Sequence, residues 1–195
     1  RNCRLIERPD SHPPPMVSVI PFDDRPAALF SLTGDELPDP GECHRVLAKH
    51  GERLDGYRVT ESIPRGYERD WKVGERTPGV GMLTMFRKKK GLDRESFIDR
   101  WHSVHTPLAL KTHPVWNYVR NVVDESILDG SDELDAIVEE HFRHQGDLLN
   151  PVRFFGGALR MGANMGRTLL DVRKFIDLNS MKTRLVTEFV LRERL

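Results

Sequence analysis

The first place in this chain where residue types and spacing suggest chemistry is a histidine two residues before a proline. His105 precedes Thr106-Pro107-Leu108 at the end of the stretch Phe97–Leu108. An imidazole titrates near neutrality and can take or give a proton during a reaction. Phe97, Trp101, Val104, His105 and Leu108 recur at helical spacing. Inside such a helix Pro107 would clash with the carbonyl of Ser103 and leave it unpaired. The ring also pushes Thr106 away from the α region. The helix must therefore kink, or restart with Thr106 as cap and Pro107 in the first position. Either way, His105 is expected where backbone groups are freed, and its side chain either aims into a cavity or satisfies the Ser103 carbonyl or a neighbouring strand within the core.

Three further residues complete the candidate catalytic set. Glu139 and His141 share one face of the strand pattern Ala136–Phe142, so they either lie on an exposed strand edge or line the same cavity. An acid beside a histidine fixes its tautomer and raises its basicity. Asn121, in the strand pattern Val115–Val123, can donate to a substrate carbonyl or enolate oxygen. Phe86, Phe97, Trp101 and Trp116 are expected to be core first and substrate lining second, and Tyr118, also a candidate substrate contact, to pack with its hydroxyl satisfied. His102, one residue from the aromatic stripe, is expected at the surface. His102 and His105 lie three apart, but no carboxylate at the next helical spacing completes a metal set, so no metal is expected. There is no Gly-rich phosphate loop, nucleophile elbow or paired Cys.

These residues need elements to hold them. Val80–Arg87 reads as a strand with two largely apolar faces, hence a strand covered on both sides. Asp93 is placed to cap the helix that follows, with Glu95 favourable in its first turn. Val115–Val123 and Ala136–Phe142 are strands around a polar loop. Gly146–Phe155 and Leu169–Ile176 are helical, with a glycine-rich insertion at 156–168, and Arg184–Leu191 is the last strand. Upstream, residues 1–15 read as an extended arm, with polyproline at Pro13-Pro14-Pro15. Met16–Ile20 and Ala27–Leu32 are short apolar runs, the second the better strand. Glu42–Leu54 reads as a helix and Gly56–Ile63 as a strand, giving a β-α-β half-unit. The domain reading is a 1–79 arm plus extension, open to interpretation as a degenerate half-repeat, and a domain at 80–195.

From residue 80 the order is β-α-β-β-α-β, the ferredoxin-like split β-α-β order within an α+β class. Such a sheet carries both helices on one face. Its other face is expected to be apolar and to need a cover, either a second copy in a homodimer or the N-terminal half-unit. Composition narrows the function classes. With 30 Lys+Arg against 30 Asp+Glu among 195 residues, no basic excess favours nucleic acid. No apolar run approaches the length of a membrane span. Residues 1–16 are charged and proline-rich, unlike a secretory signal, so the cytoplasm is expected, although the chain starts at Arg1. Cys3 and Cys43 are expected to be free thiols.

Lys90-Gly91-Leu92-Asp93, Phe97, the spacing of Trp101, His105, Pro107 and Leu108, and Tyr118-Val119-Arg120-Asn121 resemble the EthD-domain signature. Phe175-Ile176-Asp177-Leu178 and Leu185-Val186-Thr187-Glu188 resemble its end, so the resemblance spans about residues 80–192. It implies a dimeric α/β barrel. Relatives in that superfamily include cofactor-free polyketide oxygenases, lactone isomerases, and dehydratases or decarboxylases of aromatic polyketide pathways. The founding proteins are associated with ether degradation. The expectation is a cofactor-free lyase or isomerase acting by acid/base chemistry on a small hydrophobic or aromatic carbonyl compound. The alternatives, in order, are a non-catalytic binding protein for such a metabolite and a haem protein, since distant relatives of the barrel bind haem.

Overall fold

The computed structural model describes residues 2–8, 28–34 and 38–192. Its strands are β1 (Asn2–Glu7), β2 (Ala28–Thr33), β3 (Tyr57–Arg65), β4 (Val80–Lys88), β5 (Asn117–Ser126), β6 (Ala136–Phe142) and β7 (Ile176–Arg192). They form one antiparallel sheet in the order β2-β1-β7-β4-β6-β5-β3. The helices are α1 (Pro40–Leu47), α2 (Arg94–Asp99), α3 (Thr106–Thr112), α4 (Gln145–Leu149), α5 (Pro151–Phe154) and α6 (Met161–Phe175). The fold is therefore α+β. Residues 2–7, expected within an extended arm, are a strand seated between β2 and β7. The polyproline at 13–15 and the apolar run 16–20 lie outside the described residues.

Local sequence explains most element ends. Asp39 caps α1 by accepting from the Glu42 N–H at 3.0 Å, and Pro40 takes the first helical position. That helix stops at Leu47, short of the expected Leu54. Asp93 caps α2 as expected, accepting from the Ser96 N–H at 2.8 Å. The glycine-rich stretch 156–168 is only partly a loop. Gly156 and Gly157 turn with positive φ, and α6 then runs through Gly162 and Gly166.

One face of the sheet packs against the helices. Phe86, Phe97, Trp101, Tyr118, Phe142 and Phe175 form its buried centre. Phe86 meets Phe97, Trp101 and Phe175 edge-on at 6.3, 5.6 and 6.3 Å between ring centroids. Each fully buried ring contributes on the order of 2 kcal/mol of apolar transfer. Trp116 does not join them. It packs with Tyr67 and Trp71 at 5.0 and 5.7 Å, in the connector that precedes β4.

The opposite face differs from expectation. It has a small apolar cluster of Ile6, Leu83, Val123, Ile137 and Val186. Beside that cluster lie buried Asn121, Glu139, His141 and Glu188. Arg4 on β1 reaches Glu61 on β3 at 2.9 Å, although β7, β4, β6 and β5 stand between them. The sheet is thus curled until its flanks face each other across a concave interior. The strands expected as a β-α-β half-unit, β2 and β3, do not pair. They occupy opposite edges, so the chain encloses much of this face itself.

Gly81 on β4 is required by that interior. A Cβ there would lie 2.7 Å from Val186 Cγ2 and 3.0 Å from His141 Cε1, so only glycine lets the imidazole cross the strand.

Candidate active site

Pro107 does not break its helix. Between α2 and α3, residues Arg100–His105 form a π-helical segment. The Thr106 N–H bonds the Trp101 carbonyl five residues back, and the Thr106 hydroxyl donates to the same oxygen at 2.9 Å. Thr106 keeps α-region angles of −58° and −48°, contrary to the expected shift. The wider turn relieves the crowding that Pro107 would cause in a regular helix. It also adds one residue to the phase. The buried stripe runs Phe97, Trp101, and then Thr106, Ala109 and Thr112. Val104, expected inside, is 44% exposed.

That phase shift turns His105 off the core stripe and toward α6. Its Nδ1 lies 3.1 Å from Asp171 Oδ2. The other oxygen of Asp171 accepts from Arg100 Nη2 at 2.5 Å. Asp171 and Phe175 are one turn apart on α6, and the Phe175 ring lies 5.1 Å from the imidazole. The hydrogen bond from His105, helped by Arg100, holds the Asp171 carboxyl below its ordinary range despite burial. An ionised Asp171 can only accept, so the proton of neutral His105 belongs on Nδ1. The Nε2 lone pair is then the basic one.

The structure divides the expected catalytic set. His105 lies among the helices, whereas Asn121, Glu139 and His141 lie in the concave interior. There Arg4 donates to Glu139 at 2.6 Å and approaches Glu188 at 3.4 Å. Asn121 Nδ2 donates to Glu139 Oε1 at 2.9 Å. Tyr67 and Thr77 donate to Glu188 at 2.5 and 2.9 Å. Burial raises the Glu139 carboxyl and Arg4 pulls it back. Burial also lowers the His141 imidazole, whose Nε2 has no hydrogen-bond partner. Asn121 is engaged by Glu139 and lies on the opposite face of the sheet from His105. Phe86, Phe97, Trp101 and Tyr118 are packed against one another or the surrounding core, with Trp101 Nε1 3.5 Å from the Tyr118 hydroxyl.

Sequence reading misses Asp171, Arg100 and Arg4 as partners. A carboxylate one turn before Phe175 is the available signal for Asp171. Nothing local marks Arg4, whose partner Glu139 is 135 residues away. Among the described residues, no group of three His, Cys, Asp or Glu is placed to hold a metal ion. No described helix is long and apolar enough to cross a membrane. Cys3 and Cys43 are free thiols.

Glu140 is a second buried carboxyl on the helix side. Burial alone pushes its pKa from 4.5 to about 8. The folded protein therefore holds this proton over a range where the unfolded chain has released it. Stability should fall as pH rises from about 4.5 to about 8, with a slope of up to about 1.4 kcal/mol per pH unit from this group. Glu140→Gln should remove that slope, as read from urea midpoints across the window.

Residues 89–153 match the EthD domain. The matched segment covers His105, Asn121, Glu139 and His141, but neither Arg4 nor Asp171. No curated protein matches the chain.

Proposed function

We propose that this protein is a cofactor-free enzyme that moves a proton on a small hydrophobic or aromatic carbonyl compound, in a dehydration, decarboxylation or isomerisation. The observation that carries this reading is the 3.1 Å contact between His105 Nδ1 and Asp171 Oδ2, with Asp171 also fixed by Arg100. Asp171 orients the ring and stabilises the imidazolium formed when Nε2 accepts a proton. Removing a proton beside a carbonyl generates enolate charge, an intermediate common to eliminations and isomerisations of this substrate class. The strand order β7-β4-β6-β5, with helices on one side, supports a ferredoxin-like reading of residues 80–192. A homodimer is part of the same proposal.

The test is deuterium exchange at the α-carbon of 2-tetralone, followed by mass spectrometry. His105→Gln should slow enzyme-dependent exchange by about 100-fold or more. An unchanged rate in a folded variant would remove His105 from the chemistry.

A further inference from the structure

Arg120, on β5, is held in an unusual way for a partly enclosed guanidinium. Its Nε donates to Ser62 Oγ at 3.1 Å and its Nη1 to Thr106 Oγ1 at 3.0 Å. Both partners are neutral hydroxyls, one from β3 and one from α3, and together they fix the guanidinium plane. Among the described residues no carboxylate lies within ion-pair distance of it. Arg4 and Arg100 are also enclosed, and each reaches an acid. Burial lowers the Arg120 pKa, as expected for a cation enclosed without a counter-ion.

His102 adds a second free polar group. Against the surface position expected for it, it is partly buried, and its Nε2 is enclosed without a hydrogen-bond partner. His102 stands one turn before Thr106, whose hydroxyl takes the Arg120 bond, and burial and then the Arg120 charge hold its imidazole below the ordinary value. A buried ring nitrogen without a partner is costly unless something supplies one.

We infer that Arg120 and His102 form an anchor for a carboxylate carried by the substrate, with Ser62 and Thr106 setting the guanidinium plane. A guanidinium held at Nε and Nη1 still presents N–H groups at Nη2, and carboxylates are its best-matched small anions. As the Nε2–H tautomer, His102 donates to the same anion. Thr106, which takes the Arg120 bond, follows His105 directly in the chain. The anchor and the proton-transfer group are therefore carried on or against one continuous helical stretch, residues 100–112. This inference rests on the proton-transfer reading and narrows its substrates to carbonyl compounds bearing a carboxylate.

The test is calorimetric titration of the full chain with 2-naphthoate, using 2-naphthamide as the neutral isostere. The acid should bind at least about tenfold more tightly than the amide. Arg120→Met should abolish that preference, and Arg120→Lys should keep part of it because charge survives without the fork. His102→Phe should weaken the acid and leave the amide unchanged. Circular dichroism checks the fold, and Arg120→Gln serves if Arg120→Met does not fold. Equal binding of acid and amide, a preference that survives loss of Arg120, or no binding of the acid at millimolar concentration would each overturn the anchor. Tetralone exchange that requires His105, without an acid preference, overturns this inference alone. An acid preference with full exchange in His105→Gln overturns the proton-transfer reading alone.

Discussion

Asp171→Asn is expected to cut proton-transfer turnover by about 10²- to 10⁴-fold while the protein stays folded. Arg100 has only donors to offer, so it will claim the oxygen of the new side-chain amide. The amide NH₂ must then face His105 Nδ1, which becomes an acceptor. The imidazole proton is driven to Nε2, and the lone pair that should take the substrate proton is lost. The substitution is nearly isosteric, so the packing of Phe175 against the ring should survive. Asp171→Glu keeps the charge and should restore part of the activity. Tetralone exchange at saturating substrate, with near-ultraviolet circular dichroism as the folding control, decides the matter. Turnover in Asp171→Asn within about twofold of the parent would mean that the aspartate does not set the tautomer.

Arg4→Met should cost about 3–5 kcal/mol of stability. The guanidinium side chain is only 14% exposed and meets Glu61, Glu139 and Glu188. Methionine fills similar space but leaves three carboxylates facing one another in the curled interior. The cost should depend on pH in a defined direction. Once the arginine is gone, its charge no longer offsets the burial and neighbouring carboxylates that raise the Glu139 carboxyl above its ordinary value. The variant then loses stability as pH rises above the ordinary carboxylate range, near 4.5. The deficit should therefore be smaller near pH 5 than near pH 8, as read from urea midpoints at both. Glu139→Gln in the same background should recover part of the loss. A cost under about 1 kcal/mol, without pH dependence, would show that the cluster contributes no more than a surface pair.

Local interactions are readable in the sequence and distant ones are not. Ala136–Phe142 is recognisable as β6, with the right residues on each face, because alternation fixes side-chain direction within a strand. Asp93 is recognisable as a cap because its partner is three residues away. The π-helical turn is not readable. Pro107 signals a disturbance, but a break and an extra residue in the turn have the same local signature. His105 stands out in the sequence for the wrong reason: freed backbone groups are expected around it, and a one-residue phase shift instead turns it toward α6. The concave face is misjudged through the same limit. Asn121, Glu139 and His141 visibly alternate with apolar residues, yet a face bearing them is expected to be apolar because Arg4 is far away in sequence.

The pairing of β1 with the far half of β7 has a consequence for how the chain is made. Residues 3–7 find their partners at 187–192, nearly the whole length of the described chain away. A ribosome delivers β1 early and its neighbour late, so β1 must wait with one ladder unpaired while the intervening strands are synthesised. Loop closure over such a span comes late and slows folding. During that interval β1 presents an open edge to other chains. Nascent chains arrested before residue 187 should therefore be the most aggregation-prone, and full-length chains should become soluble once β7 is released.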